Sequence, residues 1–199
     1  MGATAVPEVR RKRGRPRDPE ADGRILAAAS SLILLRGFDS MTVDEVASTA
    51  GVGKATVYRR WSRKEDLAVA AMEQLYRDEM PTPDTGSLAG DLRELFSSVL
   101  SFVGSPAGLD HVRTTVKESM RDGRIAELYR QANERAAAIA TTVFERGLAR
   151  GEVRDQAHVE AAGQFLGSLV VSRAVSSQPM PGLDEVDALV EFVLNGISS

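Results

Sequence analysis

Cysteine is absent from the 199 residues, which excludes disulfides, a thiolate nucleophile and any cysteine-based zinc site. Histidine is scarce: His111 and His158 stand far apart and form no His-rich metal pattern. No apolar run reaches the roughly 18 residues that a membrane-spanning helix needs. The N-terminus is basic over a long stretch, with no apolar segment of export-signal type behind it. No period-two strand pattern and no phosphate-cradling glycine loop occur, and no nucleophile–base pair or metal-ligand cluster is readable from spacing. These absences predict a soluble, cytoplasmic, all-α chain with no metal, cofactor or membrane partner, for which an enzyme is the poorest functional class.

What is present is 43% hydrophobic and 27% charged, enough to bury a substantial core in one or two domains. The net charge of −3 is unevenly divided. Residues 1 to 64 carry 13 Lys or Arg against 7 Asp or Glu, whereas the other 135 carry 12 against 21. One end is a basic module at +6 and the rest an acidic body at −9. A polyanion is drawn to the first and repelled by the second.

The most informative stretch runs from Thr42 to Trp61, TVDEVASTAGVGKATVYRRW. Thr42 and Glu45 have the spacing of a capping box, in which each side chain satisfies a backbone N–H at the other's position. A helix should therefore start at Val43. Val43, Val46, Ala47 and Ala50 recur on one buried face, and Gly51 suits the left-handed conformation just past a helix end. A second short helix should begin near Gly53 or Lys54, with Val57 and Trp61 inside and Lys54, Thr56, Tyr58 and Arg59 outside. Two short helices about a glycine turn, the second with a basic and hydroxylic outer face, form the arrangement that seats a helix in a DNA major groove. A helical hairpin within an ordinary core is the plain alternative.

This stretch resembles the DNA-binding end of the TetR family of bacterial transcriptional repressors. The resemblance runs from about Ile25 to Leu67. It rests on Ile25, Ala28, Ala29, Leu32, Gly37-Phe38, Thr42-Val43, Val46-Ala47, Ala50-Gly51-Val52, Thr56-Val57-Tyr58, Trp61, Lys64 and Leu67, in the family's order and spacing. Three departures stand out: Gly53 where the family often has Ser or Thr, Ala55 where it often has Gly, and Trp61 where Phe is commoner. Gly53 should cap its helix a few tenths of a kcal/mol less well than Ser. On this reading Lys54, Ala55 and Arg59 read base edges, while Thr42, Thr56, Tyr58 and Lys64 hold phosphates.

The flanks divide the chain into a basic arm (1–17), a helix-turn-helix module (18–64) and a ligand-binding and dimerisation domain (65–199). The arm holds six basic residues between Arg10 and Arg17 and cannot bury enough apolar surface to fold alone. Its Arg13-Gly14-Arg15-Pro16 core resembles an AT-hook, which lays arginines along the minor groove of A·T-rich DNA. A plain basic tail adding non-specific affinity is the other reading. Asp18 and Pro19 mark a helix start, Ile25, Ala28, Ala29, Leu32 and Leu35 give its inner face, and Gly37 closes it. Ser62 and Glu65 form a second capping box, opening a helix from about Arg63 to Met80.

Pro81 to Ser87 is a turn-rich break, after which helical patterns resume. One precedes Gly104-Ser105-Pro106, one precedes Asp122-Gly123, one of about seven turns runs toward Gly147 and Gly151, Asp155 caps the next, and Asp184 opens the last. About nine helices result, the number the resembled family shows. The resemblance implies that helices five to seven enclose a pocket for an apolar or weakly polar small-molecule effector. Candidate lining residues include Met72, Leu75, Tyr76 and Phe96, with Phe102, His111, Met120, Tyr129 and Phe144. It also implies that the last two helices pair with their copies in a homodimer, through Gly163, Leu166, Gly167, Val170, Leu189 and Val193; intramolecular packing of a terminal hairpin is the other reading of their apolar surfaces. The favoured reading is a dimeric repressor binding an inverted-repeat operator in double-stranded DNA and released by an effector. The alternative is an architectural DNA-binding protein without one.

Overall fold

The structure, a computed structural model, describes residues 20–80, 82–153 and 156–197, with backbone alone for 135–136, 156–163 and 196–197. Nine α-helices and no strand occur among the described residues. They are α1 (Ala21–Ser40), α2 (Val43–Thr49), α3 (Lys54–Tyr58), α4 (Lys64–Glu79), α5 (Leu88–Gly104), α6 (Pro106–Arg121), α7 (Gly123–Ala149), α8 (Gln156–Val175) and α9 (Val186–Ile197), with a short 3-10 turn before the last. The all-α reading therefore stands.

Local chemistry accounts for most of the boundaries. Gly37 at φ +80 breaks α1 where expected, and Gly51 at φ +66 ends α2. Both are conformations that favour glycine. Ser87, Ser105 and Asp122 cap α5, α6 and α7 by accepting from the N–H of Gly90, Gly108 and Arg124. Asp18, Pro19 and Asp155, read as helix-start residues, lie outside the described residues, as do Arg13 and Arg15.

Two boundary readings are corrected. Ser62 is not the cap of α4: Arg63 occupies that position without a side-chain bond, and the Ser62 hydroxyl donates to Asp66 at 3.2 Å. At Thr42 half of the capping box forms, with Oγ1 accepting from the Glu45 N–H at 3.2 Å. The Glu45 carboxylate meets the Thr42 hydroxyl and Arg36 instead of the Thr42 N–H. A third correction concerns α1, whose Leu35 is 76% exposed while Ile33 is fully buried in its place.

The helices share two cores. The first joins Ile25, Ala29, Ile33 and Phe38 of α1 to Val46, Val57, Leu67 and Met72, and closes on Ile125, Leu128, Tyr129 and Ala132 of α7. The second is built from α5, the C-terminal half of α7, α8 and α9 around Leu92, Phe96, Val143 and Phe144. Helix α7 serves both, and α4 and α6 pack on α1, so the basic end is seated directly on the body.

Candidate nucleic-acid interface and ligand cavity

The basic end is held in shape by arginines. Arg24 Nε donates to the Ala50 carbonyl at the end of α2 (3.2 Å), and Arg60 reaches the Thr56 carbonyl of α3 (3.2 Å) while pairing with Asp22 of α1. Within the turn, Val52 N donates to Ala47 O at 2.9 Å and Thr56 N to Gly53 O at 2.7 Å. These bonds fix how α3 projects. Its outer residues Lys54, Ala55, Tyr58 and Arg59 are exposed, Thr56 is half-buried, and Val57 is buried. Thr42 is exposed at the start of α2.

Lys54 is engaged with Asp44 at 2.8 Å and lies 5.9 Å from the centre of the Tyr58 ring. The Asp44 bond raises its pKa, so it is a full cation at neutral pH. Such an exposed pair is worth little in water, so the ammonium can leave Asp44 at small cost. Lys64 stands at the first position of α4, where its ammonium donates to the Asp39 carbonyl at 3.0 Å and sits 4.3 Å from the Phe38 ring centre. Partial burial lowers its pKa, opposed by the charges of Asp39, Glu65 and Glu118.

A cavity of roughly 1090 Å³ lies in the body between α4, α5, α6, α7 and α8. Of the nine pocket candidates, Tyr76, Phe96, Phe102, His111, Met120, Tyr129 and Phe144 line it. Met72 does not: it is fully buried in the first core, because the inner face of α4 packs there along its first half and reaches the cavity only at Tyr76 and Met80. Leu75 packs against that core as well. Val, Phe, Leu, Ala, Ile and Met make up most of the walls, and the charges of Arg130 and Glu134 are paired with one another.

Three polar side chains of the wall, Tyr76, His111 and Tyr129, are buried, whereas Asn133, Gln164, Ser168 and Ser172 stand at its exposed edge. His111 is 2% exposed; its Nε2 lies 3.1 Å from the Tyr76 hydroxyl and its ring meets Phe102 and Tyr129 edge-on. Burial pulls the His111 pKa down to about 4 and pushes that of Tyr76 up, so both are neutral near pH 7. His111 Nδ1 has no hydrogen-bond partner, and the buried Thr115 Oγ1 is unsatisfied too, its interaction with the Tyr129 hydroxyl falling short of a hydrogen bond.

Residues 25–71 match the profile described as bacterial regulatory proteins, tetR family, and residues 82–193 match that of the tetracyclin repressor-like C-terminal domain. The chain belongs to the TetR family. It is 35% identical over 156 residues to the HTH-type transcriptional regulator YdeS of Bacillus subtilis, covering 76% of each chain. With the HTH-type transcriptional regulator Rv1556 of Mycobacterium tuberculosis it shares 31% identity over 185 residues, 90% of this chain and 91% of the relative. The solved TetR family regulator SCO0332 superposes with a TM-score of 0.73 at 25% identity, over 90% of this chain and all of that one. The protein is thus a DNA-binding transcriptional regulator, and its relatives are regulators rather than enzymes. No helix among the described residues is long and apolar enough to cross a membrane.

As a TetR-family body, the C-terminal helices differ in detail from expectation. Leu166, Val170 and Val193 are buried in the chain's own second core, and Leu166, Gly167 and Val170 border the cavity. Leu189 is half-buried against the same core, and only the backbone of Gly163 is described. The large apolar residues exposed among the described side chains of α8 and α9 are Val171, Val175 and Phe192, with the Phe192 ring 5.1 Å from that of Phe165. Arg24, Arg60 and Glu118, which organise the DNA end, escaped the sequence reading. Each has a partner far away in the chain, Ala50 for Arg24, Asp22 for Arg60 and Phe38, 80 positions off, for Glu118, and no local pattern marks them.

Proposed function

We propose that this TetR-family regulator is a homodimeric repressor that holds an inverted-repeat operator and releases it when an apolar or weakly polar small molecule enters the cavity. The observation that carries the reading is the apolar cavity bounded by α4 and α6, the two helices that also pack on α1 of the DNA-binding module. The unpartnered His111 Nδ1 and the unsatisfied Thr115 Oγ1 favour an occupant with a hydrogen-bonding group among apolar surroundings. Residues 18–64 form the DNA-reading module, with Lys54, Ala55 and Arg59 facing base edges and Thr42, Thr56, Tyr58 and Lys64 facing phosphates. The arm, through Arg13 and Arg15, adds minor-groove contacts. Residues 65–199 bind ligand and dimerise, with Val171, Val175 and Phe192 meeting a second copy.

Two-fold symmetry places the recognition helices about 34 Å or a multiple apart on the duplex, hence an inverted repeat. Coupling between cavity and operator is typically about 1 to 3 kcal/mol and is reciprocal, so an effector should raise the operator dissociation constant roughly 5- to 150-fold. Footprinting on DNA flanking the gene, followed by a ligand screen on the footprinted site, tests this. A cavity ligand that binds free and operator-bound protein equally would leave the architectural reading standing, since a ligand without preference shifts no equilibrium.

A further inference from the structure

Glu118 of α6 joins the cavity wall to the DNA-binding module. Its carboxylate accepts from the Tyr129 hydroxyl at 2.9 Å, from the Phe38 N–H at 3.2 Å and from the Asp39 N–H at 3.3 Å. The two amides belong to the turn beyond Gly37, and glycine is needed there twice over. Its φ of +80 suits no other residue well, and a Cβ would lie 2.8 Å from Thr114 Cγ2 and nearer still to the Glu118 carboxylate. The same turn holds the start of α4, because the Asp39 carbonyl accepts from the Lys64 ammonium and the Phe38 ring lies beneath it. Tyr129, Glu118, Asp39 and Lys64 therefore form one continuous chain of hydrogen bonds, from a ring that lines the cavity to a cation at the DNA end.

We propose that Glu118 is a positioning residue for DNA binding: anchored by Tyr129, it fixes the Phe38–Asp39 turn and thereby aims the Lys64 ammonium at a DNA phosphate. The inference rests on the assignment of Lys64 to phosphate. A cavity ligand that displaces the Tyr129 ring withdraws one of three donors from the carboxylate and loosens the turn. Charge alone has the opposite sign, since a carboxylate near the interface repels DNA and its removal should tighten binding.

The test is binding to a short labelled duplex of arbitrary sequence over a salt series, for the native chain, K64A, E118Q, Y129F and the two double variants with K64A. K64A is expected to lower the salt slope by about one unit. E118Q should weaken binding roughly fivefold to tenfold, as loss of a charge-assisted contact does, and lower the slope like K64A. Y129F, which changes no charge, should weaken binding roughly threefold, and neither change should add to K64A. Melting temperatures identify a variant that fails to fold, in which case Y129F decides. Tighter binding by E118Q, native affinity in Y129F, or full additivity with K64A overturns the proposal while leaving the phosphate contact intact. An unchanged slope in K64A removes the phosphate assignment and this proposal with it.

Discussion

Replacing His111 by glutamine isolates the buried base of the cavity wall. Burial lowers its pKa from 6.5 to about 4, so the folded protein resists a proton that the unfolded chain accepts. The group's folded-state value is depressed, and for a base this means stability is complete above about pH 6.5 and is lost as pH falls toward 4. At pH 5 the unfolded chain carries the proton and the folded chain largely does not. With each pKa unit equal to about 1.4 kcal/mol, the penalty between pH 7.5 and 5 is about 2 kcal/mol. Carboxylates such as Glu45 and Asp122, whose pKa values are lowered by hydrogen bonds, titrate below this window. Glutamine keeps an acceptor for the Tyr76 hydroxyl but cannot take a proton. Urea unfolding at fixed protein concentration, at several pH values across the window, should show the native chain losing about 2 kcal/mol more than His111→Gln. Parallel pH dependences in the two proteins would refute the reasoning.

Four further outcomes are expected. Gly37→Ala should destabilise the fold by at least the roughly 1–3 kcal/mol of backbone strain at a positive φ, with displacement of Glu118 and Thr114 in addition, read by urea unfolding. Phe192→Asp should convert the dimer to monomer in sedimentation and abolish inverted-repeat binding together, since 64% of this ring is exposed in the single chain; a monomer with native operator affinity contradicts the dimer. Arg59→Ala should relax sequence preference in a binding-site selection while lowering affinity for arbitrary DNA far less. Deleting residues 1–17 removes six basic side chains and should cost more affinity on operators with A·T-rich flanks than on G·C-rich ones, measured at low salt; equal losses make the arm a plain basic tail.

How much of this was legible in the sequence depended on the range of the interactions involved. The turn at Gly51, the breaks at Gly104-Ser105-Pro106 and Asp122-Gly123, and the split between buried Val57 and exposed Lys54 and Arg59 follow from residues within four positions of one another. The errors share a different cause. Leu32, Ile33, Leu34 and Leu35 are consecutive apolar residues, so periodicity admits more than one inner stripe for α1, and packing against α4 and α6 selected Ile33. Ser62 has a serine's capping chemistry, but its hydroxyl found Asp66 one turn ahead. Met72, read as a pocket residue, and Leu166 and Val170, read as dimer residues, are buried in the chain's own cores, because spacing cannot say which neighbour covers an apolar side chain. Glu118 and Arg60 were invisible, since a charged side chain on a helix or a turn looks solvated until its distant partner, Phe38 or Asp22, is placed beside it.

The first core carries a consequence for anyone who would exchange parts among such regulators. A graft cut after Lys64, at the end of the helix-turn-helix, would carry away Val46 and Val57 but leave behind Leu67, Ala68, Ala71 and Met72, together with the Ile125, Leu128 and Ala132 face of α7 that completes the same packing. The seam would run through close-packed side chains, where mismatched volumes commonly cost about 1–3 kcal/mol apiece. A transplant that takes α4 along and matches its new host at Ile125, Leu128, Tyr129 and Ala132 keeps the interior whole. Specificity for DNA is thus portable only with a piece of the body attached, and the exchangeable unit is defined by what is buried rather than by where a motif ends.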